Sequence, residues 1–304
     1  MTKHVYILMD VGGTFIKFGL MSADGKLIEK SQQTIPIYSD GTKEEICNSL
    51  ISAVSQGLIL SKQLSCIPSG VGICMPGPFN YITGVSEMVH KFPAIKDIPL
   101  KPIILDILEG LDIPIVFGHD VNTQLYGEIY AGNAKGYNNV CLVALGTGLG
   151  FALARDGEVL QTPTGSPLVS IWNLPYKDGI LEDYASKRGF YKAWEAVTGD
   201  IPSEDKFTVA DMGRLAGEGD ERALEVFERV GEIIGQNIKK YLIEYEIECI
   251  LFGGQISRSF VFMEKALKKE LKDIKDLKIK TVSDFNNAAF SGLVEMIKNE
   301  CSGF

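Results

Sequence analysis

A strand, a glycine-bearing turn, a second strand and an Asp-Gly turn occur twice in this chain, and nothing else in it restricts the fold as much. The first copy is the apolar run Val5 to Met9, the turn Asp10-Val11-Gly12-Gly13-Thr14, the run Phe15 to Met21, then Asp24-Gly25. The second lies within Val140 to Leu160: Cys141 to Leu145, Gly146-Thr147-Gly148-Leu149-Gly150, Phe151 to Ala154, then Asp156-Gly157. A repeated unit of this kind predicts an internally duplicated α/β architecture. Glycine carries no side chain, so both turns can bring backbone N–H groups close to a phosphate, and the Asp10 carboxylate would stay near the accompanying Mg²⁺. The pair reads as a nucleotide site, although either turn alone would also suit an ordinary hairpin.

Between and after the two hairpins the pattern alternates helix and strand. A third strand is expected over Lys26 to Ile35, and a helix over Thr42 to Leu60 with Thr42 as its cap and Glu44-Glu45 in the first turn. The strand Gly70 to Met75 stops at Pro76-Gly77-Pro78, where the prolines offer no ladder donors. Opening at a strand's carboxyl end, that turn could line a cleft or serve as a rigid loop. Phe79 to Leu100 reads as irregular, Lys101 to Gly110 as a short helix and Ile113 to Phe117 as a buried strand. Asp120 then sits between a strand end and a helix start. It suits an N-cap, and equally a carboxylate aimed at a cleft. Gln161 to Lys177 reads as a loop, and a helix is expected from Asp178 to Trp194 with Glu182 in its first turn, where it would complement the dipole. A long helix follows over Glu221 to Tyr245, then the strand Ile247 to Phe252. That strand runs into Gly253-Gly254 and a helix, a junction that allows close backbone approach to a ligand. A strand over Leu277 to Val282 and a helix over Asn287 to Lys298 close the chain.

The formal net charge of −9 argues against a nucleic-acid surface, where a concentrated basic face is expected. The lysines between Lys265 and Lys280 fall at helical spacing among Leu267, Leu271 and Ile274, as on a solvated helix face. Six scattered cysteines without a C-x-x-C pair suit reduced, cytoplasmic thiols. The first strand begins within a few residues of the start, leaving no room for a signal peptide, and no apolar run is long enough to span a membrane. A soluble cytoplasmic protein is expected, with neither nucleic acid nor membrane as partner.

Four segments stand in a telling order: Asp-x-Gly-Gly-Thr at 10 to 14, Pro-Gly-Pro at 76 to 78, x-Asp-x-Asn at 119 to 122 and Gly-Thr-Gly at 146 to 148. With Gly253-Gly254 near the end, the whole chain resembles the ROK family of sugar kinases and repressors in the actin/hexokinase superfamily. The resemblance implies a two-domain actin/hexokinase-like (ribonuclease H-like) α/β fold with a central inter-domain cleft. Its domains are expected over residues 1–118 and 119–304, the closing helix near 287–304 packing back on the first. It implies ATP and Mg²⁺ as cofactors and a small sugar as substrate, and leaves a homodimer open. Asp10, Gly12, Gly13 and Thr14 match the first phosphate motif, Gly146, Thr147 and Gly148 the second, and Gly253 and Gly254 the adenosine motif. Asp120 matches the catalytic base, Gly77, His119 and Glu182 would contact sugar, and Asp10 would hold Mg²⁺ through water.

The departures are as informative. His119 stands where the family usually has asparagine, with a different shape and protonation behaviour. The family's Glu-x-Gly-His sugar motif and the Cys-x-Cys-Gly-x-x-Gly-Cys zinc segment are missing between about 160 and 181, where the chain has neither His nor Cys. No zinc site is therefore expected. The loop Thr162 to Asp178 should be ordered by packing of Trp172, Leu174, Pro175 and Tyr176, with Ser166, Ser170 or Asn173 as replacement sugar contacts. A sugar kinase is the leading expectation. A non-catalytic sensor is the alternative prompted by the lost motif, and a repressor would need a helix-turn-helix that this chain lacks ahead of its first strand.

Overall fold

The computed structural model describes residues 3–302, which divide into two compact units. Of the described residues, one comprises 3–135, Gln161–Leu168 and 286–302, and the other Gly136–Leu160 and Val169–Phe285.

In the first unit, β1 (Lys3–Val11) pairs antiparallel with β2 (Phe15–Ser22), as the apolar runs on either side of the glycine turn require. The expected third strand is shorter. Apart from one bridge between Met21 and Leu27, the chain is irregular until β3 (Gln33–Pro36). Buried Ser31, whose hydroxyl donates to the Ile28 carbonyl at 2.7 Å, holds that irregular stretch. Helix α1 (Lys43–Gln63) begins at Thr42 with a capping box completed by Glu45. β4 (Cys66–Met75) runs to the proline turn, followed by a two-residue hairpin, β5 (Phe79–Asn80) and β6 (Val85–Ser86), in the stretch that looked irregular. Then come α2 (Leu100–Ile107), β7 (Ile115–His119) and α3 (Asp120–Tyr130).

The second unit begins with β8 (Val140–Leu145), β9 (Leu149–Arg155) and β10 (Glu158–Val159). β11 (Pro175–Tyr176) pairs with β12 (Gly179–Ile180). The helix expected over Asp178 to Trp194 is two helices, α4 (Glu182–Ala185) and α5 (Lys187–Thr198), because Ser186 between them is extended, with φ −126° and ψ −171°. α6 (Val209–Gly217), with its own capping box from Thr208 and Asp211, escaped the sequence reading. α7 (Glu221–Glu244) is capped by Asp220. After β13 (Cys249–Gly253), a 3-10 turn over Gln255–Ser259 precedes α8 (Val261–Glu270), then β14 (Lys278–Thr281). The closing helix α9 (Ala288–Ser302) belongs to the first unit.

Each unit carries a five-stranded sheet of the same plan, β3-β2-β1-β4-β7 and β10-β9-β8-β13-β14. In both, the hairpin lies at one side and two parallel strands extend the other, so the duplication in the sequence is a duplication of topology. Parallel strands buried on both faces need near-continuous apolar runs. β1 supplies one: Val5, Ile7, Met9 and Val11 enter the core beneath α1, while Leu8 faces Phe290, Leu293, Val294 and Ile297 of α9. Burying each of those four side chains contributes roughly 1.5–3 kcal/mol, which holds the closing helix on the first sheet. α3, expected in the second domain, packs on α9 instead, so the first unit extends past residue 118 to Lys135.

Candidate functional site

In the first unit β1, β4 and β7 are parallel neighbours, so their carboxyl ends bring Asp10, the turn after Met75 and His119 to one edge of the sheet. Asp10 lies opposite Lys17 of β2, with its Oδ2 4.0 Å from that ammonium, and Lys17 also donates to the Asn286 carbonyl. The glycine turn is tied from behind: Ser39 N–H donates to Gly13 O at 3.2 Å and Ile37 N–H to Thr14 O at 2.9 Å. Burial raises the Asp10 pKa although 40 % of its side chain is accessible. Lys17 opposes the shift, the charge of Asp120 adds to it, and Lys91 opposes it in turn.

The structure corrects the capping assignment beside it. His119 is the N-cap of α3, with φ −72° and ψ 136°, and Asp120 is the first helical residue. Asp120 Oδ1 accepts from Val121 N–H at 2.7 Å and lies 2.8 Å from His119 Nδ1. Nδ1 is 3.4 Å from the same Val121 nitrogen, a much poorer contact, so Nδ1 carries a hydrogen toward the carboxylate. Among the described residues Oδ2 has no hydrogen-bond partner. Burial acts against the Asp120 charge even though 61 % of the side chain is accessible. His119, through its charge and hydrogen bond, together with the Val121 amide outweighs it and holds the carboxyl below its ordinary range, with Lys91 adding to the effect. Gly77 sits against this pair. A Cβ there would lie 3.4 Å from the Tyr81 hydroxyl and 3.6 Å from His119 Cδ2, and the Tyr81 ring meets His119 edge-on at 5.6 Å.

In the second unit β8 and β13 are parallel neighbours ending at Leu145 and Gly253, so Gly146 to Gly148 and Gly253-Gly254 share one sheet edge. Gly254 has φ +78°, and any Cβ there would collide with the Leu145 carbonyl. The junction after it opens on a 3-10 turn, with the Ser257 hydroxyl donating to Gly253 O at 2.6 Å. The β8–β9 turn is braced by residues the sequence assigned otherwise. Lys187 N–H donates to Gly146 O at 2.8 Å, and Leu149 N–H donates to Glu182 Oε2 at 3.0 Å. Arg188 holds Glu182 Oε1 at 2.8 Å, and a Cβ on Gly148 would come within 2.8 Å of Oε2. In front of Gly146 the space is open.

The loop that lacks the zinc segment is divided. Gln161–Leu168 packs in the first unit, where Gly165 O accepts from the Asn122 amide at 3.2 Å, while Ser170 and Asn173 lie in the second. Leu174 and Tyr176 pack against the core of the second unit as expected. Trp172 does not, being 46 % exposed, and the buried anchor is Ile171. No group of three or more His, Cys, Asp or Glu able to hold a metal occurs among the described residues. A magnesium ion needs less, one carboxylate with water and substrate oxygens, and Asp10, whose charge burial disfavours more than Lys17 at 4.0 Å offsets, fits it. Lys91 and Arg188 were missed. Neither belongs to a motif, and only the folded backbone brings Lys91 to Gly13 and Arg188 to Glu182.

A model of the ROK family matches residues 6–167 and 176–296, and its interruption falls in the divided loop. A glucokinase of Halalkalibacterium halodurans is 26% identical over 90% of this chain and 86% of its own. The xylose repressor of Bacillus subtilis is 22% identical over 86% of this chain and 67% of its own. Among solved structures, a ROK family glucokinase of Streptomyces griseus in complex with glucose and AMPPNP superposes with a TM-score of 0.78, at 19% identity, covering 97% of this chain and 99% of that one. The fold is the expected α/β, actin/hexokinase-like one. No helix among the described residues is long and apolar enough to cross a membrane.

Proposed function

The chain belongs to the ROK family, and we propose that it is an ATP-dependent kinase acting on a sugar hydroxyl, with Asp120 as the general base. One observation carries the reading. Asp120 has one oxygen fixed by His119 and Val121 and the other without a partner, on a carboxyl held below its usual range and so ionised at neutral pH. A fixed, ionised carboxylate can orient a hydroxyl and accept its proton at Oδ2. Phosphoryl transfer otherwise needs positioning and charge neutralisation, for which glycine turns and a few charges suffice.

The ATP contacts assigned on this reading are Asp10, Gly12, Gly13 and Thr14 in the first unit and Gly146, Thr147, Gly148, Gly253 and Gly254 in the second. Asp10 would hold Mg²⁺ through water, and the ion would supply charge neutralisation on the phosphates. Gly77 and His119 would contact the sugar beside Asp120. The six cysteines, all unbridged, suit the reducing cytoplasm. The repressor among the relatives, a third of which lies outside the match, and the lost sugar motif favour the second reading, a sugar- or nucleotide-binding regulator. A coupled ADP-release screen across hexoses, amino sugars, ketoses and glucosides separates the two. Sugar-stimulated release from at least one class supports the kinase, and binding of sugar or nucleotide without turnover supports the regulator.

A further inference from the structure

In the first unit two carboxylates, Asp10 and Asp120, end neighbouring parts of one sheet edge, in a protein of net charge −9. A triphosphate brought there meets like charge, and the positive charge available on the protein side is limited. Lys17 already lies 4.0 Å from Asp10, donates to the Asn286 carbonyl and covers the Phe290 ring at 5.0 Å. Lys91 is different. Its stem lies over the glycine of the phosphate motif, a Cβ on Gly13 coming within 3.0 Å of Lys91 Cε and 3.6 Å of Nζ. Its charge reaches both Asp10 and Asp120, yet among the described residues it forms no ion pair. The backbone beneath it is anchored: Phe92, in the left-handed region at φ 54°, is fully buried and donates its N–H to Ser39 O at 3.0 Å. Ser39 in turn donates to Gly13 O. The chain thus ties the residue after Lys91 to the glycine turn through Ser39 alone.

We infer that Lys91 is a catalytic cation that meets the phosphoryl group during its transfer, a role that rests on the kinase reading. In the step, the sugar oxygen forms a bond to the terminal phosphorus while the bond from that phosphorus to the ADP oxygen breaks. The hydroxyl proton passes to Asp120 Oδ2, and Lys91 keeps its own proton throughout. The charge spread over the three phosphoryl oxygens is what the ammonium faces. A cation placed for that charge acts on the terminal phosphate and is indifferent to the rest of the nucleotide.

The test compares wild type, Lys91→Met and Lys91→Arg for binding of ADP and of AMPPNP with Mg²⁺ by calorimetry, together with turnover on whichever sugar the wild type accepts. Lys91→Met keeps the length of the stem and should melt with the wild type. It should bind ADP within about twofold of wild type and AMPPNP about tenfold more weakly. Its kcat should fall by roughly a hundredfold or more with little change in the sugar KM, and Lys91→Arg should recover part of that loss. Equal affinities for both nucleotides with unchanged kcat would overturn the role of Lys91 and leave the kinase reading intact. A raised sugar KM with unchanged kcat would make Lys91 a sugar contact instead. A wild type that binds no AMPPNP would remove the kinase reading, and the role of Lys91 with it.

Discussion

Nδ1 of His119 lies 2.8 Å from Oδ1 of Asp120, and the next amide, Val121 N–H, reaches the same oxygen at 2.7 Å. Two donors on one oxygen fix the orientation of the carboxylate and leave Oδ2 to the substrate.

The pH profile should carry that arrangement. A carboxyl whose folded pKa is lowered stays ionised to lower pH, so its contribution to stability is complete above the ordinary carboxylate range and is lost as pH falls through the depressed value. The acid limb of kcat/KM should therefore lie below the ordinary carboxylate range. His119→Ala removes the largest influence holding it down, so the limb should move to higher pH, while His119→Asn, retaining a donor, should move it less. A limb unmoved by His119→Ala would detach the histidine from the carboxylate.

Two glycines on the second unit's edge should respond in opposite ways. Gly254 is fixed by its backbone, with a positive φ and the Leu145 carbonyl where a Cβ would go, so Gly254→Ala should cost on the order of 2–4 kcal/mol in chemical denaturation. Gly146 faces open space, and Gly146→Ala should cost less than about 1 kcal/mol while weakening AMPPNP binding by calorimetry. If Gly146→Ala binds AMPPNP as well as wild type, the turn is structural only.

Glu182 matches a family sugar contact, yet both its oxygens are engaged, one by Leu149 N–H and one by Arg188. Glu182→Ala should therefore raise the KM for ATP about tenfold, since the freed turn loses a charge-assisted hydrogen bond worth about 1.5–3 kcal/mol. Glu182→Gln, which can still accept from Leu149, should restore much of it. A rise confined to the sugar KM would instead return Glu182 to the substrate.

The sequence made the duplicated hairpins, the capped helices α1 and α7 and the ordered phosphate motifs legible, because each is written in residues close together in the chain. What it left unread depends on contacts made at a distance. Lys91 sits in a stretch with no periodicity and comes near Gly13 only when residues 37–39 bond to Gly13 and Thr14 and Phe92 bonds to Ser39. The break at Ser186 is invisible in an apolar pattern that runs through it. By composition Asp120 is the better N-cap, and that His119 takes the position instead is decided by where β7 stops pairing with β4, at His119. The divided loop follows the same logic, since Gly165 is drawn to Asn122 and Ile171 to the other core.

That loop contains none of the thiolates or imidazoles of a closed zinc site, and no cysteine lies between Cys141 and Cys249. The protein should purify with well under one zinc per chain by elemental analysis and keep its melting temperature in a zinc-selective chelator. Its substrate preference should depart from glucose and N-acetylmannosamine, which the missing Glu and His would suit. About one zinc per chain, or efficient glucose phosphorylation at low-millimolar substrate, would overturn this account of the loop.

Asp120 is the most direct point of attack on the proposed chemistry. Asp120→Asn preserves the shape and a carbonyl oxygen for Val121 N–H but removes the group that takes the proton. With the best sugar from the ADP-release screen, its sugar-stimulated turnover should fall by a factor of about 10²–10⁴ with little change in melting temperature. Turnover above about a tenth of the wild-type rate would contradict the assignment of Asp120 as the base.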